Sequence, residues 1–212
     1  MDLMDQLKSA LVGLEHDEAK ASAEAIVEQG LDPVAAMGVV MDALREVGEE
    51  FARGDIWLPE LLLSARTAQS ALSVLEAEIK RTGKSVENKG TVVIGTVYGD
   101  VHSIGKTMVN VLMAAQGFKT IDLGTNVTAE QFVAAVKEHN PDILALSALL
   151  TTTASEQRNV IKALQEAGLR SQVKIMVGGG AITPEFARDI GADGYGATAP
   201  EAVSVAAELM AS

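Results

Sequence analysis

Thr91-Val-Val-Ile-Gly95-Thr-Val-Tyr-Gly-Asp100-Val-His102-Ser-Ile-Gly105-Lys106 is the stretch whose reading decides the fold. Its first six residues are a short β-branched apolar run, bounded by turn residues. Gly99 and Gly105 punctuate the polar part, and an apolar pattern of period 3.6 begins near Lys106. Strand, loop and helix in that order make the first step of a βαβ unit. The same alternation continues downstream. Short apolar runs recur at residues 120–123, 143–147, 174–177 and 194–195, with helical patterns at 106–116, 128–139, 155–167, 184–190 and 200–210. Strands buried on both faces and separated by helices imply a doubly wound parallel sheet. Such sheets bind ligands beyond the carboxyl ends of their strands, so the loops after the strands are the ones to search.

Upstream, no strand pattern is visible before about residue 82. Met4, Leu7, Leu11 and Leu14 form one helical stripe, and Ala23, Ile26 and Val27 a shorter one. Asp32-Pro33 reads as N-cap plus first-turn proline. It opens a third helix whose face carries Met37, Val40, Met41, Leu44, Val47 and Phe51. Residues 54–57 break the period, and Pro59 opens a fourth helix with Leu61, Ala65, Ala68, Leu72, Leu75 and Ile79 on its buried side. Four helices with short connections predict an antiparallel bundle. The polar, glycine-containing segment 81–90 reads as a boundary and plausible hinge. The expected organisation is therefore a helical bundle over 1–82, a linker over 83–90, and over 91–212 an α/β domain of Rossmann-like, flavodoxin-like type.

Composition narrows the function. The chain has 212 residues, 48% hydrophobic and 22% charged, which is ordinary for a globular protein. Seventeen basic against 29 acidic residues give a formal charge of −12. That field opposes binding to nucleic acid or to anionic membranes. Most of the charge lies in residues 1–82, with 16 acidic and 7 basic side chains, read either as a solvated surface or as a docking face for basic partners. Without cysteine there is no disulfide, thiolate metal site or cysteine nucleophile. The start MDLMDQLKSA has no signal-peptide character, so the cytoplasm is the expected location.

The loop after the first strand invites two phosphate-binding readings, and both fail on spacing. Gly99 and Gly105 enclose five residues where a P-loop needs four, and a carboxylate, Asp100, occupies the required glycine position. The dinucleotide fingerprint lacks its glycines. What remains is Asp100-x-His102. A carboxylate two residues before an imidazole can orient one ring nitrogen and leave the other free for a metal. A surface histidine with a chance acidic neighbour is the alternative reading of so short a motif. His16 and His139 read as surface residues. If His102 binds a metal, most of the other ligands come from outside the protein.

Asp100-Val-His102-Ser-Ile-Gly105, Ser147-Ala-Leu149 and Gly178-Gly179, following successive strands, resemble the signature of cobalamin-binding domains of the methionine synthase type. Val47-Gly48, Phe51, Gly54, Trp57-Leu58-Pro59 and Leu62 resemble the helical cap that precedes such domains. A cap plus corrinoid domain of this length is similar to the corrinoid proteins of methylamine, methanol, glycine betaine and methoxy-aromatic methyltransferase systems.

The resemblance implies cobalamin or a related corrinoid as cofactor, methylcobalamin in the loaded state. It implies His102 as the lower cobalt ligand in place of the displaced nucleotide base. Asp100 would hydrogen-bond the other ring nitrogen, and Thr153 would extend that relay. Ser103, Ile104 and Gly105 belong to the same loop. Ser147, Leu149 and Thr151 match positions near the displaced base, with helix capping as the alternative for the two hydroxyls. Gly178 and Gly179 fit the passage of the nucleotide tail, and equally a tight strand-to-helix turn. Phe51, Leu58 and Leu61 match residues covering the methyl-bearing face, with bundle core as the alternative. Trp57 is expected to anchor its corner. The implied function is methyl carriage between a substrate-specific methyltransferase and a tetrahydrofolate- or thiol-directed one, with a reductive activator as a further partner. A cobalamin-dependent sensor or regulatory module is the other reading.

Overall fold

The computed structural model describes residues 2–83 and 88–211 and divides into two compact units, one before residue 88 and one from Asn88 onward. Residues 84–87 of the expected linker lie outside the described residues. Of the rest of that segment, Gly83 ends a helix in the left-handed conformation, with φ 67°. Lys89 already belongs to the second unit, donating its N–H to the Gly117 carbonyl at 3.1 Å.

The first unit consists of α1 (Leu3–Val12), α2 (His16–Glu28), α3 (Pro33–Arg53) and α4 (Leu58–Thr82). Local chemistry marks their ends. Asp2 and Asp32 cap α1 and α3 by accepting from Asp5 N–H at 2.8 Å and Val34 N–H at 3.2 Å. Gly54, at φ 80°, closes α3. At the start of α4 the Glu60 carboxylate accepts from the Trp57 N–H at 2.8 Å, one arm of a capping box. Within the unit, α4 packs on α2 and α3 along a stripe through Leu61, Ser64, Ala68, Ala71, Leu75 and Ile79.

Trp57 does not anchor its corner. Its side chain is 76% exposed, because it occupies the N-cap position of α4 with extended backbone. The corner is held by the Glu60 arm, Pro59 and Gly54.

The second unit is a parallel sheet of β1 (Thr91–Thr96), β2 (Lys119–Asp122), β3 (Ile143–Ser147), β4 (Lys174–Gly178) and β5 (Gly194–Gly196), in the order β2-β1-β3-β4-β5. This is the flavodoxin-like order, with its switch point between β1 and β3. The helices are α5 (Ile104–Ala115), α6 (Ala129–His139), α7 (Thr151–Glu166), α8 (Pro184–Asp189) and α9 (Ala199–Ala211). Alternation along the strands sorts the core into two layers. Val93, Leu144, Leu146, Ile175 and Val177 pack with α6, α7 and α8. Val92, Ile94, Ile143, Ala145 and Met176 face α5 and α9.

The elements agree with the sequence reading, with one informative difference. Four of the five helices expected after β1 hold to within about two residues, but α7 begins at Thr151, four residues before the Ser155 that the period suggests.

Candidate functional site

At the switch point, the loops following β1 and β3 meet, and Asp100 joins them. Its side chain is wholly buried. One carboxylate oxygen, Oδ1, accepts from the His102 N–H at 3.0 Å and lies 2.7 Å from His102 Nδ1. The other, Oδ2, accepts from Leu149 N–H at 2.8 Å, from Leu150 N–H at 3.4 Å and from the Thr153 hydroxyl at 2.7 Å. Leu150 is the N-cap of α7 and supplies no side-chain cap. Asp100 therefore caps α7 from fifty residues away, with its charge at the positive end of the helix. That explains the early start of α7: the partner of its first turn is not local in sequence.

Burial pushes the Asp100 carboxyl up. The hydrogen bonds from Thr153, from the backbone and ring of His102 and from Leu149 outweigh burial and hold it well below the usual carboxylate range. An ionised carboxylate only accepts, so the proton of a neutral His102 ring resides on Nδ1 and Nε2 presents its lone pair. The His102 side chain is 45% exposed.

The backbone of the loop is shaped for this. Gly99 has φ 76° and donates to Asn126 Oδ1 at 2.8 Å, while Asn126 N–H donates to the Asp100 carbonyl at 2.9 Å. Ser103 takes the N-cap position of α5, without a side-chain capping bond. A Cβ at Gly105 would meet nothing within 4 Å. Tyr98, Val101, Ile104, Leu149 and Leu150, all from the two joined loops, expose large apolar side chains. An apolar collar of this kind on a polar protein marks a binding surface.

The other expected site residues divide into three groups. Thr153 is buried and engaged with Asp100, whereas Thr151 is exposed at the first position of α7 and Ser147 is half-buried at the end of β3. Neither hydroxyl caps α7. Gly178 and Gly179 sit against the protein's own backbone. A Cβ at Gly178 would come within 2.7 Å of the Gly196 carbonyl oxygen, and one at Gly179, where φ is 117°, would overlap the Ala148 carbonyl. Phe51 and Leu58 are half-buried and Leu61 is buried in the α4 stripe.

Sequence reasoning missed the supports of this site. Gln157 donates to the carbonyls of Leu146 at 2.9 Å and Gly178 at 3.1 Å, tying the ends of β3 and β4. Lys106 and Thr96, described below, lie behind His102. Their one signal in the sequence is a lysine and a threonine inside otherwise apolar patterns.

Among the described residues no three His, Asp or Glu side chains gather to hold an ion. The site offers one imidazole nitrogen beside exposed apolar side chains, so most ligands of any metal it held would come from outside the protein. Residues 90–204 match the family model described as "B12 binding domain", and residues 3–76 match a second model with the same description. The chain belongs to the B12-binding corrinoid proteins. It is 39% identical, over 99% of its length and 98% of the relative's, to a corrinoid protein of Desulfitobacterium hafniense (strain Y51). It is 40% identical to trimethylamine corrinoid protein 1 of Methanosarcina acetivorans, covering 96% of this chain and 94% of the other. Among solved structures, a chain of the methanol:cobalamin methyltransferase complex of Methanosarcina barkeri superposes with a TM-score of 0.88 at 31% identity, covering 99% of this chain and 80% of that one. As a corrinoid protein it binds cobalamin or a related corrinoid. No helix among the described residues is long and apolar enough to cross a membrane.

Proposed function

We propose that this corrinoid protein carries methyl groups, receiving them at a substrate-specific methyltransferase and delivering them at a second one that serves tetrahydrofolate or a thiol, with a reductive activator keeping the carrier competent. The observation that carries this reading is the imidazole of His102, held at Nδ1 by Asp100 on a loop that, with its neighbour, also exposes large apolar side chains. The names of the relatives, for trimethylamine and for methanol, add the class of methyl donor: small N- or O-methylated compounds.

A bound corrinoid supplies a cobalt ion that accepts and gives up a methyl group. The chain's part is ligation, shielding and proton placement. His102 Nε2 would ligate the metal, with its lone pair exposed by the Asp100 hydrogen bond to Nδ1. Whether or not Nε2 were coordinated, Asp100 would hold the ring at Nδ1. Thr153 and the first turn of α7 keep Asp100 charged throughout. Leu149, Val101 and Ile104 would exclude water around the imidazole once a corrinoid covered them, and Ser147 and Thr151 would face the displaced base. We assign Phe51 and Leu58 to the methyl-bearing face. Leu61 continues the buried stripe of α4, so it supports that face from within the helices.

Protein labelled with 15N-histidine, loaded with corrinoid and poised as Co(II), tests the ligand. Electron paramagnetic resonance should show coupling to one 15N nucleus, and His102→Ala should abolish it while corrinoid remains bound. Coupling to an unlabelled benzimidazole nitrogen would overturn the assignment. The carrier role is tested by purifying the tagged holo-protein from its native host. A methyltransferase should accompany it, and a signalling or DNA-binding partner in its place would favour a regulatory module.

A further inference from the structure

Behind the His102 loop lies a chain of polar contacts, anchored on buried Thr96 and Lys106, that cofactor binding does not itself call for. Thr96, the last residue of β1, is wholly buried. A buried hydroxyl is costly unless it is used, and here it donates to the main-chain carbonyl of His102 at 3.1 Å. The Thr96 N–H donates to the Gly124 carbonyl at 3.0 Å. The Gly124 N–H in turn donates to Asp122 Oδ1 at 2.8 Å. Both oxygens of Asp122 accept from Lys106 Nζ at 2.5 Å, and the Lys106 side chain is only 3% exposed. Lys106 stands four residues after His102, in the first turn of α5. The contacts therefore run from Lys106 through Asp122, Gly124 and Thr96 to the carbonyl of His102, bracing the loop from the side away from Asp100.

We propose that Thr96, braced by the ion pair of buried Lys106 with Asp122, is a positioning residue that fixes the backbone of His102 and with it the imidazole that would ligate cobalt; this rests on the reading of His102 as the cobalt ligand. Asp100 grips the N–H and the ring of His102 but leaves its carbonyl, and with it the pivot of residue 102, unrestrained. Thr96 supplies that third restraint. Metal–ligand distances tolerate only about 0.2 Å, so freeing the pivot weakens ligation even though Asp100 still orients the ring. A single hydrogen bond of this kind corresponds to a change of about tenfold in an equilibrium.

The test compares holo-proteins carrying Thr96→Val, which keeps the shape and removes the donor, with Thr96→Ser, which restores it. Two readouts separate positioning from packing: the fraction of Co(II) showing imidazole coupling, and the Co(II)/Co(I) midpoint potential. A lower nitrogen ligand favours Co(II) over Co(I), so about tenfold weaker ligation raises the potential by about 59 mV for one electron. Thr96→Val should show this shift together with a smaller coupled fraction, and Thr96→Ser should match the parent. The double variant Lys106→Met/Asp122→Asn removes the ion pair, retains an acceptor for the Gly124 N–H, and should shift both readouts in the same direction. Parent-like readouts in Thr96→Val, or equal defects in the valine and serine variants, would reduce Thr96 to packing. A parent-like double variant would remove the brace. If the parent itself lacks imidazole coupling, the ligand assignment fails and this proposal with it, a result distinct from the others.

Discussion

Replacing Asp100 by asparagine keeps the shape of the side chain and removes one acceptor along with the charge. The carboxylate receives the His102 N–H, the His102 ring, the Leu149 and Leu150 N–H groups and the Thr153 hydroxyl. An amide NH2 must face one of these two sets. Turned toward α7, it leaves the Leu149 N–H without its acceptor. Turned toward His102, it opposes a backbone N–H and forces the ring to accept at Nδ1, which moves the imidazole proton to Nε2. The first outcome loses a charge-assisted hydrogen bond in a buried place. The second loses one and blocks the metal-binding nitrogen as well. With about 1.5–3 kcal/mol for each bond to a charged group, we expect Asp100→Asn to cost the apo-protein about 3 kcal/mol by urea unfolding at pH 7. The coupled fraction of Co(II) should fall in parallel. The pH dependence has a definite sign. The folded carboxyl is held below its unfolded value, so its contribution is complete above about pH 4 and is lost as pH falls through the folded value. The gap between parent and variant should therefore narrow in acid. Equal stability at pH 7 together with full imidazole coupling would refute this account of Asp100.

Thr153→Val should show a milder form of the same defect, about 2 kcal/mol in unfolding, with the His102 coupling largely kept because Oδ1 is untouched. Gly179→Ala places a Cβ on the Ala148 carbonyl at a φ of 117°. It should lose at least about 3 kcal/mol or fail to accumulate, and a thermal midpoint equal to the parent's would show that the turn yields freely. Trp57→Phe, at a position 76% exposed, should unfold within about 0.5 kcal/mol of the parent; a larger loss would mean that the indole is packed after all.

The sheet was legible because its central strands β1 and β3 are buried on both faces, so residues 91–96 and 143–147 read as short apolar runs without help from tertiary structure. Asp32-Pro33 and Gly54 marked helix ends because their chemistry is local. The failures share a cause. Nothing near Thr151 announces that a carboxylate fifty positions earlier will cap α7, and nothing near Lys106 announces Asp122. Trp57 misled for a different reason: a large aromatic residue beside a helix start suggests an anchor, yet backbone and glutamate chemistry alone hold that corner. Within the site, the Asp100–His102 pair was readable from its spacing, while the threonine that steadies the histidine carbonyl could be found only in three dimensions.

The exposure of Trp57 makes the protein its own optical gauge. It is the sole tryptophan in the chain and belongs to the helical unit, so indole emission originates there, in contact with water. Corrinoids absorb across the near ultraviolet and quench such emission steeply with distance. Fluorescence of the unlabelled holo-protein would then report the proximity of Trp57 to a bound corrinoid, with no dye attached and no residue changed.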